Sequence, residues 1–78
     1  MKLPRDVSGR ALIRAMTKLG YHVDRQVGSH VRCVNEGPPR HAITVPDHDP
    51  IKPGTLSAIL RELAEHRGVS KAELLEQL

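Results

Sequence analysis

Tyr21-His22-Val23-Asp24-Arg25-Gln26-Val27-Gly28-Ser29-His30-Val31-Arg32-Cys33-Val34-Asn35 alternates apolar and polar residues on either side of Gly28-Ser29. A period of two marks a strand with one buried face, and Gly-Ser is turn chemistry, so the stretch reads as a hairpin over Tyr21–Gln26 and His30–Asn35. Glu36-Gly37-Pro38-Pro39-Arg40 must be a loop, and His41–Val45 alternates again as a third strand. If Val31 and Cys33 face the core beside Ile43 and Val45, the opposite sheet face carries His30, Arg32, Ala42 and Thr44. Placing Tyr21 and Val23 inside as well sends His22, Asp24 and Gln26 to that outer face. This register requires an odd-length turn or a bulge around Val27-Gly28-Ser29, and it turns Arg25 inward.

The flanking segments read as helices. Before the hairpin, Leu12, Ile13, Met16 and Leu19 form one apolar stripe of a helix over about Ser8 to Leu19. Ser8 supplies the cap, Val7 and Leu12 a hydrophobic staple, and Gly20 the stop. Arg10, Arg14 and Lys18 line the opposite face, either as a phosphate-contacting ridge or as the solvated side of the helix. After an irregular Pro46–Pro53 segment, Thr55 is positioned to cap a second helix with Leu56, Ile59, Leu60 and Leu63 on one face, ending at Gly68. Ser70-x-x-Glu73 is a capping box for a short last helix, with Val69 and Leu74 as its staple and Leu74, Leu75 and Leu78 as its stripe. The fold class is therefore α+β, in the order helix, three strands, helix, short helix. A three-stranded antiparallel sheet is covered on one face by helices, with Leu12, Met16, Ile43, Leu60 and Leu63 in the core.

Seventy-eight residues make a single domain, 1–78, with a modest core. Tyr21 is the only aromatic residue of the Phe, Tyr and Trp group, so aliphatic side chains must fill that core. Cys33 is the only cysteine, which excludes an intramolecular disulfide and a cysteine-based zinc site, and favours a reducing compartment. With no apolar run of signal or membrane-span length, the expected location is cytoplasmic. Charge is uneven: residues 1–40 carry +5 and residues 41–78 carry −2, within a net +3. A basic half on a small domain suits a polyanion such as nucleic acid, although a solvated surface would look the same.

The chain has five histidines: His22, His30, His41, His48 and His66. An imidazole titrates near neutrality and can take a proton from a ribose hydroxyl without a metal. His30 stands out because it opens a strand directly after Gly28-Ser29, with the cations Arg25 and Arg32 close in sequence. A general base beside phosphate-binding cations is the minimal equipment of a metal-independent ribonuclease. Lys52, Gly54 and Thr55 at a helix start are either a phosphate cradle of amides and ammonium or an ordinary turn and cap. Asp47-His48-Asp49 is only superficially a metal cluster, since adjacent residues on a Pro-rich loop rarely converge on one ion. No metal and no cofactor is expected.

Leu3-Pro4, Gly9, Leu12-Ile13, Leu19-Gly20-Tyr21, Arg25-Gln26-x-Gly28-Ser29-His30, Val45-Pro46 and Lys52-x-Gly54-Thr55-Leu56 together resemble the HicA toxins of bacterial and archaeal toxin–antitoxin systems. The resemblance covers nearly the whole chain; Ser70–Leu78 extends past the minimal family core. It implies a fold like a double-stranded-RNA-binding domain, ribosome-independent cleavage of mRNA, and neutralisation by a HicB-type antitoxin. The family's catalytic histidine falls on His30. Arg25, Ser29, Arg32 and Lys52 are the accompanying candidates for contacting RNA phosphate. Two other classes fit the composition: a non-catalytic RNA-binding module of the same fold, and a protein-interaction domain on which the basic half is incidental.

Overall fold

The computed structural model describes residues 6–78, so Leu3-Pro4 of the resemblance and the cations Lys2 and Arg5 lie outside the described residues. Along the chain run α1 (Gly9–Thr17), β1 (His22–Val27), β2 (His30–Asn35), β3 (His41–Pro46), α2 (Pro53–Arg67) and α3 (Lys71–Glu76). The strands form one antiparallel sheet in the order β1-β2-β3. The expected α+β order is therefore present, including the short C-terminal helix.

Each helix begins and ends for a local reason. The Ser8 side chain accepts from the Ala11 amide at the start of α1, and Gly20, at φ 95°, turns the chain after it. The helix is shorter than its apolar stripe, because residues 18–20 leave it as a turn. α2 starts two residues before the expected cap. Lys52 is the N-cap residue without a side-chain cap bond, and Pro53 occupies the first turn, where its fixed φ suits the helix. Thr55 accordingly sits inside the first turn and is not the cap. Gly68, left-handed at φ 66°, closes α2, and the Ser70 side chain accepts from the Glu73 amide to open α3.

The core lies between the helices and the inner sheet face. Leu12, Ile13 and Met16 of α1 meet Val31, Cys33, Ile43 and Val45 of the sheet and Leu56, Ile59, Leu60 and Leu63 of α2, with Val7, Tyr21, Ile51 and Leu74 completing the cluster. Leu78, expected in the last apolar stripe, is exposed. Asn35 is buried at the far end of β2, where its amide donates to the Leu19 carbonyl and accepts from the Gly37 amide. It thereby ties the end of β2 to the turn after α1.

The hairpin register differs from the sequence reading. Gly28-Ser29 is a two-residue turn, with Val27 opposite His30, and the irregularity falls between Val23 and Arg25. Val23 still pairs with Cys33, but the extra residue at Asp24 shifts everything after it by one. Arg25 therefore pairs with Arg32 on the outer face instead of turning inward, and Gln26 pairs with the core residue Val31. β1 is an edge strand exposed along its whole length, so Val23 remains 47% exposed although it lies on the core side.

Candidate functional site

His30 is presented by the turn that precedes it. Gly28 takes φ 59°, which lets two residues reverse the chain, so His30 opens the central strand β2 at one end of the sheet with its side chain exposed. Across the sheet it lies opposite Val27 on one side and Pro46 on the other. Two clefts meet at it. One, of about 360 Å³, is lined by His30, Thr44, Pro46, His48, Lys52 and Thr55. The other, of about 220 Å³, is lined by Arg25, Val27, His30, Arg32 and Thr44. The imidazole thus stands between a wall bearing one ammonium and a wall bearing two guanidinium groups.

The candidates do not all stand equally close to it. Lys52 shares the first cleft, where the first turn of α2 adds the positive end of a 15-residue helix. Arg25 and Arg32 share the second, but Arg32 is partly engaged: its Nε lies 3.4 Å from the Asp24 carboxylate in a half-exposed pair. Ser29 sits in the turn, and its carbonyl accepts from the Asp47 amide at 2.6 Å. Its contact is thus with the segment after β3, through the backbone.

A network holds the hairpin tip against α1. Arg10 donates to Gln26 Oε1 and to Asp47 Oδ2, each at 3.0 Å, while Gln26 Nε2 donates to the Gly28 carbonyl at 3.0 Å. Arg10, read from sequence as part of a possible phosphate ridge, is committed to this network, and Lys18 donates to Gln77 at 3.1 Å. The same contact zone explains Gly9. Its amide donates to the His48 carbonyl at 2.8 Å, and a Cβ there would lie 2.2 Å from the Pro46 carbonyl oxygen. Only a bare backbone lets α1 approach this closely, and the approach carries His48 into the His30 cleft.

At the opposite end of the sheet the histidines behave differently. His41, the first residue of β3, is buried, with Nδ1 against the Tyr21 hydroxyl and Nε2 3.0 Å from Glu62 Oε1. The His66 ring stacks on it with centroids 3.8 Å apart and planes within 12°. Burial holds the Tyr21 phenol protonated above its ordinary range, partly opposed by the Arg67 charge. Burial likewise raises the Cys33 thiol, with Arg10 opposing. Sequence reasoning counted His41 among five histidines without distinction and weighed His48 only within Asp47-His48-Asp49; the contacts of both come from distant parts of the chain and leave no local signal.

Among the described residues no helix is long and apolar enough to cross a membrane. No curated protein and no solved structure matches the chain. A family model does: that of the HicA toxin of bacterial toxin–antitoxin systems, which spans residues 9–64, from the first residue of α1 to the last turns of α2. That span contains the turn, both walls of the His30 clefts and the Gly9 contact, and the chain belongs to the HicA toxin family.

Proposed function

We propose that this HicA-family toxin is an endoribonuclease that cuts mRNA without a metal, with His30 as the general base. The observation that carries the reading is the exposed imidazole at the junction of two clefts, one bearing Lys52 and the other Arg25 and Arg32. Neutral His30 takes the proton of a ribose 2′-hydroxyl, and the 2′-oxygen attacks the adjacent phosphorus. The bond to the 5′-oxygen breaks, leaving a 2′,3′-cyclic phosphate on one fragment and a 5′-hydroxyl on the other. Extra negative charge gathers on the phosphoryl oxygens in the transition state, where Arg25, Arg32, Lys52 and the first turn of α2 stabilise it. Ser29, beside His30 in the turn, contacts the same phosphate backbone.

Family membership makes the chain the toxin of a toxin–antitoxin pair with an antitoxin as its partner. We further propose that this partner is of the HicB type and covers His30 and the basic face, presenting carboxylates to Arg25 and Arg32. The base and the cations are all protein groups, so cleavage persists in EDTA, and DNA, which lacks the 2′-hydroxyl, is not cut. The test compares wild type and His30→Ala on single-stranded RNA, with and without EDTA. Wild-type cutting that yields cyclic phosphate and disappears in the variant is expected. A variant that cuts at the wild-type rate removes His30 from the mechanism. Binding without cutting by the wild type would instead identify a non-catalytic RNA-binding module.

A further inference from the structure

We propose that His41, Glu62 and His66 form a site for a zinc-class divalent metal ion, at the end of the sheet remote from His30. Each residue offers one ligand atom, and the three atoms lie within 4.8 Å of one another. Glu62 and His66 are four residues apart on α2, so they project from one face of the helix, and both meet His41. Two imidazoles and a carboxylate are a donor set suited to zinc, whose ligand bonds of about 2.0–2.2 Å leave neighbouring ligands about 3.3 Å apart. In the stacked arrangement the two ring planes lie within 12°, so their in-plane lone pairs run side by side, and binding an ion requires the exposed His66 ring to leave the stack and half-buried Glu62 to turn with it.

His41 has the support that a metal-binding imidazole requires. Its Nδ1 faces the buried Tyr21 hydroxyl, and the two rings meet edge to face with centroids 5.7 Å apart. In the present contact Nε2–H donates to the Glu62 carboxylate; an ion would take that proton's place, with Nδ1 then carrying the ring proton and donating it to the Tyr21 oxygen. The ring is fixed before any ligand arrives. His66 is not needed to satisfy His41, since both ring nitrogens already have partners; its exposed ring nevertheless stacks on the same imidazole. Binding would join the start of β3 to the C-terminal half of α2 and stabilise the fold by mass action.

The experiment uses the full chain without a polyhistidine tag, stripped with EDTA and dialysed, then titrated with zinc chloride under calorimetry and thermal unfolding. One equivalent of zinc should bind and raise Tm, while magnesium chloride should not. His66→Ala removes an exposed ligand, so the metal-free protein should unfold at the wild-type temperature but bind zinc at least tenfold more weakly. Glu62→Gln should weaken binding likewise, whereas His48→Ala should bind as wild type does. No zinc-dependent shift in the wild type, or an undiminished shift in both His66→Ala and Glu62→Gln, overturns the site.

The His30 cleft carries a second inference, which rests on the reading of His30 as general base. We infer that His48 donates the proton to the departing 5′-oxygen. His48 lines the same cleft as His30 and Lys52, its side chain is exposed, and its backbone is pinned to α1 through the Gly9 amide. A 2′-hydroxyl that loses a proton and a 5′-oxygen that gains one lie on opposite sides of phosphorus, so a base and an acid facing one cleft match the reaction. The test uses a dinucleotide and its 5′-phosphorothiolate analogue, whose sulfur leaves without protonation. His48→Ala should slow cleavage of the oxygen substrate at least 100-fold but cut the sulfur analogue near the wild-type rate, whereas His30→Ala should be slow on both. Wild-type cutting of the oxygen substrate by His48→Ala, or equal slowing on both substrates, overturns the donor role and leaves the base assignment standing. No cutting by the wild type removes the ribonuclease reading itself.

Discussion

His30 and His41 occupy the same place in their strands, as the first residues of β2 and β3, yet the protein treats them in opposite ways. Because the strands are antiparallel, the two imidazoles stand at opposite ends of the sheet, five residues or about 17 Å apart along β2. His41 is buried and has a partner at each ring nitrogen. His30 is exposed at the meeting of two clefts lined with cations. A residue type at a given strand position therefore carries no role of its own. The role comes from what the fold brings against it: a phenol and a carboxylate at one end, open space and positive charge at the other.

The comparison predicts effects of different kinds at the two ends. His30→Ala should lower RNA cleavage by about 10²–10⁴-fold, the usual contribution of a general base, and change the unfolding free energy by less than about 0.5 kcal/mol. Cleavage kinetics beside urea unfolding check both halves. His41→Ala should do the reverse. It leaves the buried Tyr21 hydroxyl without its partner and should cost about 1–3 kcal/mol, or roughly 4–8 °C in Tm for each kcal/mol in a domain this small. Cleavage per folded molecule should be unchanged, and its loss in a folded variant would show that the ends are coupled.

Charge around His30 should have a smaller effect. Arg32 shares its positive charge with Asp24 at 3.4 Å, and both side chains are about half exposed, so the pair contributes little to stability. Arg32→Ala should weaken RNA binding several-fold and reduce the salt dependence of affinity by about one phosphate contact. Asp24→Asn should act in the opposite direction and strengthen binding. Fluorescence anisotropy across a salt series reads both, and identical slopes for wild type and Arg32→Ala would remove Arg32 from the phosphate track.

Much of the fold was legible because burial follows period. The bounds of β2 are those read from its alternation, and the apolar stripes of α1 and α2 supply the core. β1 was harder for a physical reason. It is an edge strand exposed along its whole length, so Val23 and Val27 stay in solvent and the strand's apolar positions do not record a buried face. Its bulge at Asp24 reversed the expected facing of Arg25. At the His30 end, the residue types were readable but their convergence was not. Lys52 reaches His30 only because β3 returns beside β2, and His48 only because Gly9 lets α1 approach Pro46. The Tyr21–His41–Glu62 chain links three segments by tertiary contact, and no spacing along the sequence marks it.

The weakest expected effect is alkaline, and it separates the buried side of the molecule from the His30 end. Burial raises the Cys33 thiol above its ordinary 9.0 and the Tyr21 phenol above its ordinary 10.0. In both cases the folded chain holds a proton that the unfolded chain releases more readily. The stabilisation is complete below the unfolded pKa and is lost as pH rises through the folded one. Unfolding free energy measured in urea should therefore fall from about pH 9 upward, first through Cys33 and then through Tyr21. Cys33→Ala should remove the earlier part of that slope, and Tyr21→Phe the later part, whatever each does to stability at pH 7. His30→Ala should leave the whole profile in place, because His30 is exposed and the burial that raises Tyr21 and Cys33 does not involve it. A profile that flattens on replacing His30 would mean that the two ends share a titration, and the division between them would fail.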